Sequence, residues 1–330
     1  MRRLLDIIIV AACVLLPQFA MAQSAELKVM SYNVRLGTAK DGTNSWMYRC
    51  GATLEMIEDQ KPDIMGVQEA LDDQVRFIKE FSTDYDFVGV GRDDGKKGGE
   101  YMAIFWNKKK VKLLDWGTFW LSETPNLPSK GWDAACYRTA TWALMKDKAS
   151  GERFYVVNTH LDHKGAEARK NGLKLIMERI EEINPKGYPM VLMGDFNMKP
   201  SATELKDLDS CMKSARKFAS KKDSHQTFNN WGKASSDMII DYIYYKGFAS
   251  CLEYQTVTKN IVTENSFPIT ILFLQDLFFN DAIGDAHLLE LFNEWQGHLN
   301  AELMRKELDV PFLSRIIEEH CQRNVAFVPL

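Results

Sequence analysis

The sequence predicts a mixed-sheet α/β domain that carries a chemical site at one edge of its sheets. In the first half of the chain, short apolar segments alternate with segments of helical spacing, a pattern typical of α/β domains. In the middle, apolar segments follow one another through short connections, which indicates paired strands. Polar residues recur where apolar segments end, at Asn33, Glu69, His160, Asp195 and Asn197. Strand ends gathered on one rim of a sheet commonly form sites.

Each element is predicted from its apolar spacing and its flanking residues. The predicted strands are short apolar or alternating segments, at residues 27–34, 64–67, 87–91, 101–106, 111–116, 139–145, 153–159, 190–193 and 238–245. The predicted helices show apolar residues three and four positions apart, at residues 46–60, 74–81 and 167–183. Residues 101–106 and 111–116 are interpreted as a hairpin. The loop 119–136 is rich in aromatic residues, and both a functional loop and a self-packed surface loop fit it.

The first 22 residues are interpreted as a secretory signal peptide. Arg2 and Arg3 precede an apolar segment at residues 7–16, and Ala20 and Ala22 provide small residues for cleavage. The apolar segment is short for a membrane span, and Pro17 ends it. The mature chain is therefore expected to be secreted or periplasmic, with no membrane span after cleavage.

The charge and the cysteines exclude several classes of protein. The formal net charge of the 330-residue chain is −4. A mildly acidic chain lacks the broad basic surface of a tight polynucleotide binder, so no strong nucleic-acid footprint is expected. Five cysteines remain after cleavage, widely scattered and without a Cys-x-x-Cys pair. This pattern is typical of neither a disulfide-stabilised scaffold nor a zinc module, although it is compatible with one or two disulfide bridges.

Five segments together resemble the endonuclease/exonuclease/phosphatase superfamily of metal-dependent phosphoesterases. They occur in the family's order and spacing and cover about residues 26–270, and their sequences are Ser31-Tyr32-Asn33-Val34-Arg35, Val67-Gln68-Glu69, Asn158-Thr159-His160-Leu161-Asp162-His163, Gly194-Asp195-Phe196-Asn197 and Ile240-Asp241-Tyr242-Ile243. The segments 117–125 and 131–133 further resemble an uncharacterised secreted bacterial branch. The resemblance implies a four-layer sandwich of two mixed β-sheets flanked by helices.

The resemblance also implies a metal site. Glu69, helped by Asn33, would bind a hard divalent cation, and Mg²⁺ is expected, with Mn²⁺ as the alternative. Oxygen ligands in low number suit an ion that keeps its waters and contacts a phosphate oxygen.

The resemblance further implies roles for the other site residues. Asp195 would orient or deprotonate the attacking water, and Asn197 would donate to the phosphorus centre as charge builds there. His160, paired with Glu100, would contact the phosphate or serve the leaving group. Arg138 is expected to contact the phosphate. Asp241 corresponds to a family aspartate that supports a terminal histidine.

The sequence departs from the family near its end. Family members carry Ser-Asp-His before the last strand, whereas Asn265 and Ser266 stand where the aspartate and histidine belong. Impaired catalysis, rescue by another histidine and an altered chain end through a frameshift or misjoined sequence all fit this departure. Residues 271–330 form an expected helical C-terminal extension, whose apolar stripe would pack on its own domain or on a partner.

The expected function is hydrolysis of a phosphodiester or phosphomonoester by direct attack of water, in a secreted and Mg²⁺-dependent enzyme. The partner would be a phosphorylated substrate of a class that the sequence leaves open. Two alternatives stay open as well: a catalytically silent phosphate- or sugar-binding protein on the same fold, and an interaction module that works through the helical tail.

Overall fold

A computed structural model of the chain describes residues 26–231, 233–234 and 238–258. These residues belong to one compact unit, and the second unit, Asn280–Leu330, lies outside them. The expected signal peptide, the departure at Asn265 and Ser266, and the expected helical extension also lie outside the described residues. None of these three expectations is therefore tested by the structure.

The described residues form twelve strands and five α-helices. The strands in chain order are β1 (Val29–Asn33), β2 (Ile64–Ala70), β3 (Tyr85–Val88), β4 (Tyr101–Asn107), β5 (Val111–Trp120), β6 (Thr139–Asp147), β7 (Arg153–His160), β8 (Met190–Asp195), β9 (Lys213–Ser214), β10 (Lys221–Lys222), β11 (Asp241–Lys246) and β12 (Glu253–Tyr254). The helices are α1 (Trp46–Gln60), α2 (Asp72–Phe81), α3 (Ala166–Ile183), α4 (Glu204–Cys211) and α5 (Ala215–Phe218).

Two mixed sheets form the centre of the described domain. The first sheet has the strand order β1-β2-β4-β3, and the second has the order β5-β6-β7-β8-β11-β9. Their facing sides share one apolar core, to which the first sheet contributes Ile64 and Ile104 and the second contributes Met145, Val156 and Met193. Burial of this shared surface holds the sheets face to face, because each strand alternates its side chains between two sides.

Helices cover the two outer faces. On the second sheet, Leu173 and Ile176 of α3 pack against sheet residues such as Val157 and Leu192. On the first sheet, α1 and α2 pack their apolar stripes against the strands, as Met56 and Ile78 show. The order helix, sheet, sheet, helix is the four-layer α/β sandwich that the resemblance implies, and this prediction is confirmed.

The predicted hairpin between residues 101–106 and 111–116 is wrong. Strand β4 pairs with β2 and β3, whereas β5 pairs with β6 in the other sheet. The physical reason is that Trp106 and Val111 both contribute to the core between the sheets. The short connection between β4 and β5 therefore carries the chain from one sheet to the other, so that the two strands belong to different sheets.

Two further features of the described residues bear on the sequence predictions. Among the described cysteines, Cys50, Cys136 and Cys211 are free thiols. Within the described part of the chain, no helix combines the length and the apolar character that crossing a bilayer requires.

Candidate active site

Strand register in the second sheet brings three predicted site residues side by side. His160 ends β7 and lies opposite Asp195 of β8 in a parallel pair. Asp241 begins β11 and lies opposite Asp195 in an antiparallel pair. Asp195 therefore sits between an imidazole and a second carboxylate, and all three residues are buried.

The first sheet contributes Asn33 and Glu69 to the same place. The pairing of β2 with β4 shifts register between Val67 and Ala70, and Glu69 adopts a positive φ of 63°. Such irregularities re-aim side chains next to functional sites. The Asn33 amide nitrogen donates to Glu69 Oε1 at 2.8 Å and to Asp195 Oδ2 at 3.1 Å. This side chain thus joins the two sheets at the site.

Glycine is required at position 194, just before Asp195. Gly194 has a φ of 147°, and a Cβ at this position would lie 1.9 Å from the carbonyl oxygen of Thr159. No side chain fits there, because β7 and β8 approach closely at their ends. Beyond this point Asn197 has a φ of 50°, and its N–H donates to Asp195 Oδ1 at 2.9 Å. The tight turn therefore places Asn197 beside the carboxylate.

The carboxylates of the site repel one another in a buried setting. Burial and the charge of Glu69 raise the pKa of Asp195 to about 7, although the hydrogen bond from the Asn197 N–H opposes this shift. Burial and the charge of Asp195 raise the pKa of Asp241 well above its ordinary value. One ligand atom from each of Glu69, His160 and Asp195 lies within 4.8 Å of the others. A cluster of oxygen donors with excess negative charge fits a hard divalent cation.

His160 is a neutral imidazole in this setting. Burial, together with the positive charges of Arg138 and Arg92, lowers its pKa well below the ordinary value. The Asn197 amide nitrogen lies 2.9 Å from Nε2 of His160 and also donates to the carbonyl oxygen of Leu161. Nε2 therefore accepts, and the proton of the neutral ring is on Nδ1, which makes no hydrogen bond to the described residues. His160 thus orients the Asn197 amide.

Glu100 has a different partner from the one that the resemblance implies. Both of its oxygens accept from the guanidinium of Arg92, at 2.6 and 2.8 Å, and the expected pairing with His160 is not made. A bidentate guanidinium contact satisfies a carboxylate better than a single imidazole N–H does. Burial nevertheless raises the pKa of Glu100 to about 7, with the charge of Arg92 opposing the shift.

The aromatic loop supports this ion pair. Trp120 is buried at the end of β5, and its indole N–H donates to the carbonyl oxygen of Arg92 at 2.6 Å. The indole also lies close to Gly95, where an added Cβ would be 3.1 Å from the ring. Trp120 therefore contacts the loop that carries Arg92, and both interpretations of residues 119–136 stay open.

Replacement of Trp120 by phenylalanine should lower the free energy of unfolding by about 1–3 kcal/mol, because the buried carbonyl of Arg92 loses its donor. Urea unfolding measures the change. The matched control is Trp116→Phe, since that indole is 39% exposed. An equal loss in both variants would contradict a specific role for the Trp120 hydrogen bond.

Arg138 is held rigidly next to the acidic cluster. Its side chain is 4% exposed, and its Nε donates to Asp162 Oδ2 at 3.2 Å. Burial acts to raise the pKa of Asp162. The pKa nevertheless lies below its ordinary value, because the carboxylate accepts from the N–H groups of Gly165, Lys164 and Ala135 and lies beside the charge of Arg138. Asp162 is therefore ionised and anchors the guanidinium of Arg138, for which the family resemblance implies a phosphate contact.

One cavity of about 590 Å³ gathers the eight residues that the sequence analysis selects: Asn33, Glu69, Glu100, Arg138, His160, Asp195, Asn197 and Asp241. Their individual roles stay predictions. The cavity is also lined by residues that sequence reasoning did not select, including Arg35, Arg49, Arg92, His163, Lys199 and Trp231. Of these, Arg35 and His163 had a signal, because each lies in one of the five segments that resemble the family. The other four come from loops and a helix whose positions depend on tertiary packing.

Comparison with known proteins agrees with this geometry. The profile of the Endonuclease/Exonuclease/phosphatase family matches residues 30–258. The crystal structure of an endonuclease/exonuclease/phosphatase from Bacteroides vulgatus is 36% identical with a TM-score of 0.69, over 72% of this chain and 93% of that one. A mannosyl-6-phosphatase from Bacteroides thetaiotaomicron is 33% identical with a TM-score of 0.70, over 76% of this chain and 97% of that one.

A viral relative extends the comparison. An uncharacterized protein of Acanthamoeba polyphaga mimivirus is 26% identical over an alignment of 275 residues, and the match covers 75% of this chain and 100% of that protein. The family profile spans more than half of the chain. The chain therefore belongs to the Endonuclease/Exonuclease/phosphatase family.

Proposed function

We propose that this protein is a Mg²⁺-dependent hydrolase that cleaves a phosphomonoester or phosphodiester by direct attack of water. The observation that carries the proposal is the position of Asp195, which lies between His160 and Asp241 and shares the Asn33 amide with Glu69. In this proposal the two sheets supply a base, a cation site and hydrogen-bond donors to one cavity, as hydrolysis of a phosphate ester requires.

Glu69 and Asp195 would hold the cation, with Mn²⁺ as the alternative to Mg²⁺. The fit rests on their clustered oxygens and on the raised pKa of Asp195, since such carboxylates bind either protons or a cation. When bound, the ion would neutralise charge on a phosphate oxygen and acidify a nearby water. Asn33 fixes the orientation of both carboxylates through its amide nitrogen.

The remaining residues divide the work of hydrolysis. Asp195 orients the attacking water and takes its proton. Asn197 donates toward the phosphoryl group in this proposal. Its two amide N–H groups are held by Nε2 of His160 and the carbonyl oxygen of Leu161, so one of these hydrogen bonds opens when the substrate binds. Arg138 binds the phosphoryl oxygens, and Asp241 supports Asp195 from the neighbouring strand.

A sugar phosphate monoester is the first substrate class to test. Two facts support it: a relative that is 33% identical is named a mannosyl-6-phosphatase, and the cavity is large enough to enclose a sugar ring. Phosphodiesters are the second class to test. That the protein has no strong nucleic-acid footprint stays a proposal. Secretion is also a proposal, and it is tested by locating the cleaved protein in cell fractions.

The test is hydrolysis of p-nitrophenyl phosphate, bis-p-nitrophenyl phosphate and mannose 6-phosphate by the purified protein, with Mg²⁺, with Mn²⁺ and with EDTA. We expect turnover that needs a metal and that falls by about 10²-fold or more in Glu69→Gln. Metal-independent turnover, or turnover unaffected by Glu69→Gln, would overturn the proposal.

A catalytically silent phosphate- or sugar-binding protein is the second candidate. It is favoured by Asn265 and Ser266, which stand where the family resemblance places an aspartate and a histidine. Binding of mannose 6-phosphate without turnover of any of the three esters would support this candidate. A large gain in turnover from the double change Asn265→Asp, Ser266→His would instead indicate a phosphoesterase that lacks one contact.

Binding of Mg²⁺ should stabilise the protein more at about pH 8 than at about pH 5. The pKa of Asp195 rises from 3.8 to about 7 on folding. Between these values the folded protein binds more protons than the unfolded chain, so the free energy of unfolding of the metal-free protein falls as the pH rises. Mg²⁺ competes with these protons for the carboxylate, so it binds more tightly at a pH where the carboxylate is ionised.

Melting temperatures with and without Mg²⁺ at the two pH values check this prediction. Glu69→Gln is the control, because it removes one carboxylate from the cluster. Equal stabilisation at both pH values would show that protons and the cation do not compete for the cluster.

A further inference from the structure

The rim of the cavity carries a histidine to which the proposed function gives no role. His163 is exposed and lines the same cavity as Arg138 and Asp195. It follows β7 by three residues, so its backbone is tied to the sheet that carries the site. An exposed imidazole at the edge of a phosphate site is available to a ligand.

The neighbours of His163 hold it through Asp162. Oδ1 of Asp162 accepts the N–H groups of Lys164 and Gly165, at 2.9 and 2.8 Å. Oδ2 accepts the N–H groups of Ala135 and Cys136 and the Nε of Arg138. Asp162 thus has five N–H donors and serves as an anchor, which argues against a cation site formed with Cys136 and His163.

The contact between Arg138 and His163 determines where the histidine proton is. Nη2 of Arg138 lies 2.9 Å from Nδ1 of His163. A guanidinium can only donate, so Nδ1 accepts and the proton of the neutral ring is on Nε2. Burial and the charge of Arg138 lower the pKa of His163, which agrees with a neutral ring. Nε2 makes no hydrogen bond that the described residues provide.

Arg138 offers a second donor beside it. Its Nη1 is buried and has no hydrogen-bond partner among residues 26–231, 233–234 and 238–258. The rest of the guanidinium is engaged by Asp162 and His163, so this N–H is fixed in place. A buried donor without a partner is costly unless a ligand satisfies it.

We propose that Arg138 and His163 form a two-donor contact for the phosphoryl oxygens of the substrate, in which His163 donates from Nε2–H. The proposal rests on the proposed function, because it assigns a phosphate ligand to the same cavity. It makes His163 a binding residue in its own right: the buried Asp162–Arg138 pair sets its tautomer, and the imidazole extends the phosphate contact to the rim.

The direct test is calorimetric titration of the full chain with inorganic phosphate in the presence of Mg²⁺. His163→Leu should weaken phosphate binding about tenfold or more, since a hydrogen bond to a charged ligand is lost. His163→Gln should recover much of the affinity, because its amide can accept from Arg138 and still donate. The matched control is His225→Leu, as His225 does not line the cavity. Unchanged affinity in His163→Leu would overturn the proposal.

A double-mutant cycle separates direct contact from support of Arg138. If His163 touches the phosphate, His163→Leu should still weaken binding at least about threefold in an Arg138→Gln background. If it only orients Arg138, the second change should have no effect, and the proposal fails. In kinetics with p-nitrophenyl phosphate, we expect KM to rise more than kcat falls, as for a contact made equally in the ground and transition states.

The outcomes separate this inference from the proposed function. If the wild-type protein turns over phosphate esters and His163→Leu leaves phosphate binding unchanged, the proposed role of His163 is rejected and the proposed phosphoesterase function stands. Wild-type protein that neither turns over phosphate esters nor binds phosphate would reject both.

Discussion

Replacement of Asp195 by asparagine is expected to lower kcat for phosphate esters by about 10³-fold, the size of the contribution of a general base in a preorganised site. Asparagine has nearly the same shape, so the turn at Gly194 and the strand pairing should persist. Its amide cannot take a proton from water, and it removes a negative charge from the cluster of Glu69, Asp195 and Asp241.

Steady-state kinetics with Mg²⁺ measure this effect, and circular dichroism shows whether the variant is folded. The control is Asp84→Asn, since Asp84 is a partly exposed carboxylate that pairs with Lys109 and does not line the cavity. Exposed pairs of this kind contribute little to stability and nothing to catalysis. A folded Asp195→Asn protein with wild-type turnover would show that the catalytic base lies elsewhere.

Replacement of Asn158 by leucine should lower the free energy of unfolding by about 4 kcal/mol, because several buried hydrogen bonds would each lose one partner. Asn158 lies on β7 and is fully buried between the sheets. Its amide nitrogen donates to the carbonyl oxygens of Val67 and Ala103 at 2.9 and 2.8 Å. Its oxygen accepts from Gln68 Nε2 at 2.7 Å, and leucine can replace none of these contacts.

Urea unfolding monitored by fluorescence measures the loss, with Asn126→Leu as the control because Asn126 is exposed and the hydrogen bond that it accepts from Arg179 lies at the surface. The control should change stability by less than about 0.5 kcal/mol, as is usual for surface substitutions. We also expect Asn158→Leu to weaken Mg²⁺ binding, because Gln68 directly precedes Glu69 on β2. Equal stability of the two variants would contradict a role of Asn158 in joining the sheets.

Much of the fold followed from local pattern. The helix over residues 46–60 was predicted with its observed bounds, because its apolar spacing is regular and Pro62 follows it. The strand at residues 190–193 was predicted because four apolar residues precede Gly194 and Asp195. The hairpin prediction failed because local pattern identifies a strand but does not say which of two sheets it joins. That choice depends on the core shared by Trp106 and Val111.

The candidate site divides in the same way. Asn33, Glu69, His160, Asp195 and Asn197 were selected because they follow apolar segments, and the structure places all five in one cavity. The partner of Glu100 was not predictable, since Arg92 reaches it through a bend of the loop that the buried Trp120 supports. No spacing in the sequence records such a contact.

By itself, the sequence determined which residues can do chemistry and on which strand ends they lie, because strand periodicity and turn glycines are local properties. Only the tertiary structure decided which side chains meet: the register that places Asp195 between His160 and Asp241, the Asn33 amide that joins two carboxylates across two sheets, and the Arg138 contact that sets the tautomer of His163. These contacts arise between segments far apart in the chain, and the packing of the two sheets brings them together.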